Sequence, residues 1–578
     1  MDTEAERSNS MGDERSNSVG DEKHTVQHTT VTEGSKLDDR AETSHIDHHK
    51  PTVEEMEGSG GLKGLLANPF VFATAVFASL GGLLFGYDQG VISGVLVMPH
   101  FMATFPLNPT EKGFVVAILE LGCWAGAWFA GYFADKIGRK FTIVLGTVIF
   151  LLGASLQAGA QNISFLFGGR FVCGLSIGIL SMVVPLYQSE ISPPEIRGSL
   201  VALQQFAITV GILISFWIDY GTSTIDSDVQ WRLPLALQLI IGLILGVGIL
   251  FFPFSPRWLM SQNREEDALR VLSRLRRLPP DNPIVEEEWR EIKATVEFDR
   301  QIEREKYPQH INNGAKGRFM IGLGGYRDLF RKGIFKRLWL GCALQFFQQF
   351  TGINAIIYYA PTIFQSIGLT GTAVPLLATG IVGVVNVVCT IPAVLFLDQF
   401  GRRKALLVGA FFMAISHIII AIIVGLFEND WQAHTTAGWV AVAFVYFFIA
   451  NFAYSWGPIG WVYPSEIFPL RIRAKAMSVT TSANWMCNFI IGLITPPMIA
   501  SLRFGTYVFF AAFTVIMFFW VLFFVPETKG RSLEDMDQVF GDKSAVHDAE
   551  LMDHIQAQVH EHDAPPTAAV KQERDDLE

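Results

Sequence analysis

The chain has 578 residues, 50% of them hydrophobic and only 17% charged, with 47 phenylalanines and a formal net charge of −11. Ordinary soluble domains are nearer a quarter charged, so the composition excludes a soluble globular protein and points to one that crosses a membrane many times. The acids gather in the tails and the central loop, so the net charge identifies no partner, and no nucleic-acid partner is expected.

Residues 1–65 are acidic, rich in Ser, Thr and His, and nearly free of large apolar side chains; ERSNSMGD is followed at once by ERSNSVGD. Such a stretch cannot bury enough to offset its ordering entropy and reads as a disordered cytosolic tail. His45, His48 and His49 within it are read as solvated, not as a metal site. No cleavable signal peptide is read, so the first span is expected to be its own insertion signal. About twelve apolar runs of spanning length follow, six within residues 66–253 and six within 338–526, a crossing taking about 20 helical residues. The predicted class is an all-α membrane protein of twelve transmembrane helices. The five cysteines all fall in apolar runs, too widely spaced for a metal site or a disulfide framework.

Asp88 lies deep in the first run, GGLLFGYDQG. A carboxylate at the bilayer centre costs roughly 2.5–3.5 kcal/mol, which makes it a functional candidate, and Arg170 at the head of the fourth run is its expected partner. Between them, runs two (Phe114–Ala134) and three (Phe141–Ala160) are separated by a loop with Asp135, Lys136, Arg139 and Lys140. Glu190 and Arg197 follow the fourth run. Asn162-Ile163-Ser164 fits a glycosylation pattern, in a loop too short and too near the membrane to be used. Basic residues concentrate in alternate loops, which places those loops and both termini in the cytosol.

Residues 254–337 form a charged central loop of about eighty residues, longer than compact connections usually are. Ala268, Leu269, Val271, Leu272, Leu275 and Leu278 recur at helical spacing, and 286–306 reads as a second charged helix. Short cytosolic helices under the bundle are expected; a basic helix on the membrane surface is the alternative.

The seventh run holds LQFFQQFTGINAIIYYAP. Gln345, Gln348, Gln349, Gly352 and Tyr359 share one helical stripe, and a break at Gly352 would swing Asn354 onto it. Side-chain amides both donate and accept, which suits vicinal hydroxyls, and aromatic faces suit the C–H face of a sugar ring. With Tyr358 also present and no lysine or arginine, a neutral polyhydroxylated ligand is favoured over amides that merely join helices. In the tenth run, WGPIGWVYPSE sets two prolines and two glycines around Trp461, which is expected to break the helix there. Residues 527–578 are again acidic and polar and read as a second disordered cytosolic tail.

Landmarks recur one half-chain apart. Asp135-x-x-Gly138-Arg139 is matched by Asp398-x-x-Gly401-Arg402, and Glu190 with Arg197 by Glu466 with Arg473 at the same separation. Two pseudo-symmetric six-helix halves follow, with these charges as a cytosolic gate that pairs when that side closes.

The run Gln348-Gln349 … Gly352 … Asn354 … Tyr358-Tyr359 closely resembles the seventh helix of sugar porters in the major facilitator superfamily, and the matched motifs extend from about Gly81 to Gly530. The wording of the motifs is similar to fungal monosaccharide (hexose) transporters. The resemblance implies a plasma-membrane carrier, not an enzyme, working by alternating access without a cofactor, with a proton as coupling ion through Asp88 and Arg170. It implies sugar contacts at Gln205, Gln348, Gln349, Asn354, Tyr358, Tyr359, Asn386, Trp461 and Asn484, the last beside Trp485. It also implies a charge network of Asp135, Arg139, Glu190, Arg197, Asp398, Arg402, Glu466 and Arg473. One departure stands out: family members carry PESPRW after the sixth helix, whereas this chain has Phe254 in place of the acid, with the C-half acid, Glu527, intact. The partners implied are a small sugar and membrane lipid, with ubiquitination and endocytosis machinery acting on Lys23, Lys36, Lys50, Lys543 and Lys571, and a monomeric functional unit. The alternatives are a facilitative uniporter, a porter for polyols, disaccharides or quinate, and a sugar sensor that does not transport.

Overall fold

The computed structural model describes residues 68–193, 196–309, 320, 322, 324–369, 371–468, 470–529, 540, 544–562 and 565–566. The N-terminal tail with its histidines, and the five tail lysines, lie outside the described residues.

Helices α1 (Pro69–Ala78) and α2 (Leu80–Val95) run on from each other and are followed by a short α3 (Pro99–Thr104). Next comes α4 (Pro109–Ala158), which starts on a reciprocal cap: Asn108 accepts from the Glu111 backbone N–H at 2.9 Å, and the Glu111 carboxylate accepts from the Asn108 N–H at 2.9 Å. α5 (Ile163–Ile191) begins on Asn162, whose side chain accepts from the Phe165 N–H at 2.9 Å. α6 (Arg197–Thr222) and α7 (Val229–Gly248) complete the N-terminal set. The C-terminal set is α11 (Lys332–Phe350), α12 (Ile353–Ser366), α13 (Ala373–Phe400), α14 (Arg402–Phe427), α15 (Thr435–Tyr454), α16 (Trp456–Ile467), α17 (Leu470–Leu502) and α18 (Phe504–Phe524).

Ten of these stretches are long and apolar enough to cross a membrane. Runs two and three meet within α4 at Gly138, whose non-helical φ 84° and ψ 160° separate two helical segments, so the expected loop is a sharp kink. The 50 residues suffice for two crossings of about 20 helical residues each. The seventh run divides at Gly352, φ 87°, into α11 and α12, as its sequence suggested. The tenth run does break, but at Ser455 (φ −116°, ψ −87°) and not at Trp461, which lies inside α16.

The repeat is visible as matched bonds. Arg139 holds Glu190 at 2.8 Å, with Asp135 at 3.3 Å, and Arg402 holds Glu466 at 2.6 Å, each pair inside its own half of the chain. Arg473 donates to the Phe468 carbonyl; the side chains of Arg197 and Asp398 lie outside the described residues. Tyr187 donates to the Pro253 carbonyl and Tyr463 to the Pro526 carbonyl. Gly401, at φ 86°, repeats the backbone of Gly138. The halves part at the next residue. Glu527 accepts from the backbone N–H groups of Arg402 and Arg403 at 2.8 and 3.1 Å, capping α14. Phe254, in the equivalent place, stacks on Trp258 with Lys140 above its ring.

The central segment forms α8 (Pro256–Ser261), α9 (Glu265–Arg276) and α10 (Pro283–Lys306). Ala268, Leu269 and Leu272 are buried against Trp258, Val285 and Trp289, so the apolar stripe of α9 is covered by protein and not by a membrane surface. The expectation of disorder over 527–578 does not hold for α19 (Ser544–His562). Leu551, Ile555 and Val559, four residues apart, pack on Ala294, Phe298 and Ile302 of α10. The polar average of the tail conceals this stripe, whose partner lies some 250 residues away in sequence on α10.

Two outcomes are expected. A Cβ at position 352 would need a left-handed backbone and would sit 2.8 Å from Phe510. Gly352→Ala should therefore destabilise the detergent-solubilised protein by about 1–2 kcal/mol or more, read as a lowered Tm. Ile555→Asp should free α19, since burying an Ile is worth about 1.5–3 kcal/mol. Trypsin should then remove the C-terminal segment faster, while the Tm of the bundle stays unchanged.

Candidate functional site

A narrow cavity with about 40 Å³ of free space, well below the roughly 300–1,000 Å³ of an open small-molecule site, lies between the two sets of helices. Phe85 and Gln89 of α2 and Gln205, Ile208 and Ile212 of α6 form one wall. Gln348, Gln349, Ile353, Asn354 and Ile357 from the broken seventh run face them, with Asn386 of α13, Phe452 of α15, Trp461 of α16, and Asn484 and Asn488 of α17.

The break at Gly352 explains much of this lining. With α11 ending at Phe350 and α12 restarting at Ile353, Asn354 turns toward α11. It donates to Gln349 Oε1 at 2.6 Å and to Asn488 Oδ1 at 2.9 Å. Gln349 in turn donates to Asn484 Oδ1 at 3.2 Å, and Asn484 to Gln345 Oε1 and Gln348 Oε1 at 2.6 and 2.7 Å. Gln345 ends on the Gly460 carbonyl at 2.7 Å, and Gln348 on the Trp456 carbonyl at 2.8 Å. Pro464, four residues further along α16, has no N–H to give to the Gly460 carbonyl, which leaves that oxygen free to accept. The Asn386 Oδ1 is buried without a hydrogen-bond partner among the described residues, a costly state that a ligand hydroxyl would relieve.

Seven of the nine expected sugar contacts line the cavity: Gln205, Gln348, Gln349, Asn354, Asn386, Trp461 and Asn484. Tyr358 and Tyr359 do not. Tyr359 donates to the Gly492 carbonyl at 2.7 Å, and its own backbone is non-helical (φ −127°, ψ 19°). Tyr358 stands behind the lining, where it accepts from Gln89 at 2.6 Å and donates to Glu120 at 2.7 Å. Trp485 is buried, with its indole N–H on Ser181 Oγ at 3.2 Å.

Asp88 and Arg170 do come together, both with 0% side-chain exposure. Their nearest atoms are 4.0 Å apart, looser than the 2.7–2.9 Å or so of a bonded ion pair. Arg170 also donates to the Val115 carbonyl at 2.7 Å and to Gln157 at 3.4 Å.

Three polar residues were not anticipated. Gln89 and Asn488 each carried a legible signal: Gln89 adjoins Asp88, and Asn488 lies one turn beyond Asn484 on the same helical face. Glu120 is the third, a fully buried acid in α4 whose signal in the sequence equals that of Asp88.

Comparison with known proteins agrees with this geometry. The profile of the sugar (and other) transporter family matches residues 74–540. The chain is 36% identical over 495 residues to the MFS glucose transporter mfs1 of Aspergillus flavus, covering 81% of this chain and 89% of that protein. It is 38% identical over 490 residues to a probable quinate permease of Aspergillus niger, covering 81% and 88%. Among solved structures, the proton:xylose symporter XylE bound to 6-bromo-6-deoxy-D-glucose superposes with a TM-score of 0.66 at 30% identity, over 82% of this chain and 99% of that one. The chain is a multi-pass membrane transporter, not an enzyme, and it belongs to the sugar (and other) transporter family of the major facilitator superfamily.

Proposed function

We propose that the chain carries a neutral monosaccharide, a hexose or a pentose, across the plasma membrane by alternating access, in symport with a proton. The observation that carries this reading is the lining of the cavity. Eight amide side chains from six helices (Gln89, Gln205, Gln348, Gln349, Asn354, Asn386, Asn484 and Asn488) converge with Trp461, and no lysine or arginine joins them. Amides match hydroxyls in both donor and acceptor capacity, and an indole face matches a sugar's C–H face. The proton is assigned to Asp88, whose loose contact with Arg170 suits a carboxyl that is neutral in one conformation and ionised in the other.

The topology is part of the proposal. The ten membrane-length stretches, a second crossing by α4 and one by the broken pair α11–α12 make twelve. The concentration of basic residues in alternate loops supports cytosolic termini and cytosolic α8–α10, and the functional unit in this reading is a single chain. A second reading, transport of quinate, is favoured by the name of the Aspergillus niger relative. It would set a carboxylate against a lining without a cation.

Labelled D-glucose uptake in a host lacking hexose carriers tests the reading, with D-xylose and quinate as competitors. Displacement by quinate alone would replace the sugar claim, and binding without entry would make the protein a sensor. Gln349→Ala and Asn354→Ala should each raise the KM about fivefold or more at normal surface expression, since a lost hydrogen bond is worth about 1 kcal/mol and a bare buried partner costs more. Asp88→Asn should keep exchange of labelled sugar between the two sides but lose accumulation against a gradient. A wild type that never accumulates sugar at any external pH would end the symport claim.

A further inference from the structure

Glu120 is a carboxyl buried in the membrane interior, and its two bonded partners are uncharged. Tyr358 donates to its Oε1 at 2.7 Å and Asn488 Nδ2 to its Oε2 at 2.9 Å. The charges near enough to act on it are Arg170 of α5 and Asp88 of α2. The other titratable groups facing it are Tyr358 and Tyr359 of α12 and Cys123, three residues along its own helix; α17 presents the uncharged Asn488. Two buried carboxyls thus lie in the field of one guanidinium, which is nearest to Asp88 at 4.0 Å. With both ionised, the cluster keeps an uncompensated negative charge inside the bilayer, and binding one proton removes it.

The hydrogen bonds show where that proton would act. The Tyr358 hydroxyl accepts from Gln89 at 2.6 Å and from Asn488 at 2.8 Å and gives its one hydrogen to Glu120, so its capacity is full. Asn488 commits both Nδ2 hydrogens, to Glu120 and Tyr358, which leaves its Oδ1 to accept from Asn354. An acceptor-only carboxylate therefore fixes the orientation of Asn488, so that donation runs from Asn354 through Asn488 to Glu120, while the other Asn354 hydrogen goes to Gln349. A proton on Oε1 turns that oxygen into a donor. Tyr358 can accept it only by releasing Gln89 or Asn488 and turning its own hydrogen toward an amide oxygen. Both of those amides line the cavity.

We propose that Glu120 is a second proton-binding carboxyl of this transporter, whose protonation reverses donation through Tyr358 and Asn488 and so resets what the cavity offers a hydroxylated ligand. The same bonds tie α4 to α12 and α17, so the proton also weakens a charge-assisted contact between the two halves. The proposal rests on the transport reading above.

The test uses the full chain in nanodiscs. Infrared difference spectra between acid and alkaline buffer should contain a carboxyl band that is absent in Glu120→Gln and a separate one that is absent in Asp88→Asn. Binding of D-glucose and of D-xylose, measured across pH, should lose in Glu120→Gln up to about the tenfold change per pH unit that one linked proton gives, while Glu120→Asp retains it. Should Glu120→Gln fail to fold, Tyr358→Phe asks the same question, because removing the donor to Oε1 should displace the midpoint of the Glu120 band. A carboxyl spectrum unchanged in Glu120→Gln, wild-type pH dependence of binding in that variant, or an unmoved midpoint in Tyr358→Phe would overturn the proposal and leave Glu120 a fixed acceptor. A wild type that binds neither sugar would instead sink the transport reading, and the coupling claim with it, whatever the spectra show.

Discussion

Hydrocarbon offers no partner to an amide hydrogen, so every side-chain amide inside this bundle depends on another protein group to accept from it. Around the cavity that demand is met by a series of bonds with an acceptor at each end. Asn354 donates both ways: through Asn488 to the acceptor-only Glu120, and through Gln349, Asn484 and Gln345 to the Gly460 carbonyl of α16. Gly352 turns Asn354 into this series, and Pro464, lacking an N–H, leaves the Gly460 carbonyl to end it. A ligand entering the cavity meets one buried amide oxygen without a partner among the described residues, that of Asn386, while the amides of the series are already bonded. It competes for hydrogens already shared among neighbours, so affinity depends on how well its hydroxyls replace the bonds they interrupt.

The matched ends of the two halves give this interior a common frame with different fastenings. Arg139 with Glu190 and Arg402 with Glu466 clamp equivalent helices. Glu527 adds a carboxylate at the N-terminus of α14, a charge–dipole contact that salt and solvent weaken as it opens. Phe254 offers instead a stacked ring on Trp258 beneath Lys140, held by area more than by charge. Both halves thus keep an arginine–glutamate clamp, and they differ in that the C half adds a carboxylate at a helix N-terminus where the N half packs aromatic surface.

Much of this was legible because the signals were local. A glycine inside a polar stripe, an acid inside an apolar run, and a six-residue apolar pattern in α9 each state their consequence within a few residues. The paired landmarks around Gly138 and Gly401 carried the repeat in the same way. What escaped depended on distant partners. Whether Tyr358 and Tyr359 face the cavity is decided by the distorted backbone at Tyr359 and by the Gly492 carbonyl on another helix. The helical stripe of α19 has meaning only against Phe298 and Ile302 of α10. Glu120 was the exception, for its signal was as local as that of Asp88. Asp88 had an arginine in a plausible place to complete it, whereas the partners of Glu120 are a tyrosine and an asparagine from the other half of the chain.

A carrier for an uncharged ligand has a problem that a carrier for an ion does not. Its cargo brings no field, so a loaded cavity and an empty one differ electrostatically only through what the protein itself binds. The amides that touch the ligand cannot supply that difference, because they hold no charge to gain or lose. It has to lie behind them, on groups that titrate and are bonded to the lining. Asp88 answers to Arg170 but has no hydrogen bond to a cavity residue among the described ones. Glu120 has one directly, to Asn488, and a second through Tyr358 to Gln89. Under the proposed coupling the two carboxyls would divide the labour: the first would set the charge of the bundle interior, and the second would pass a change in that charge to the hydrogen bonds of the cavity lining.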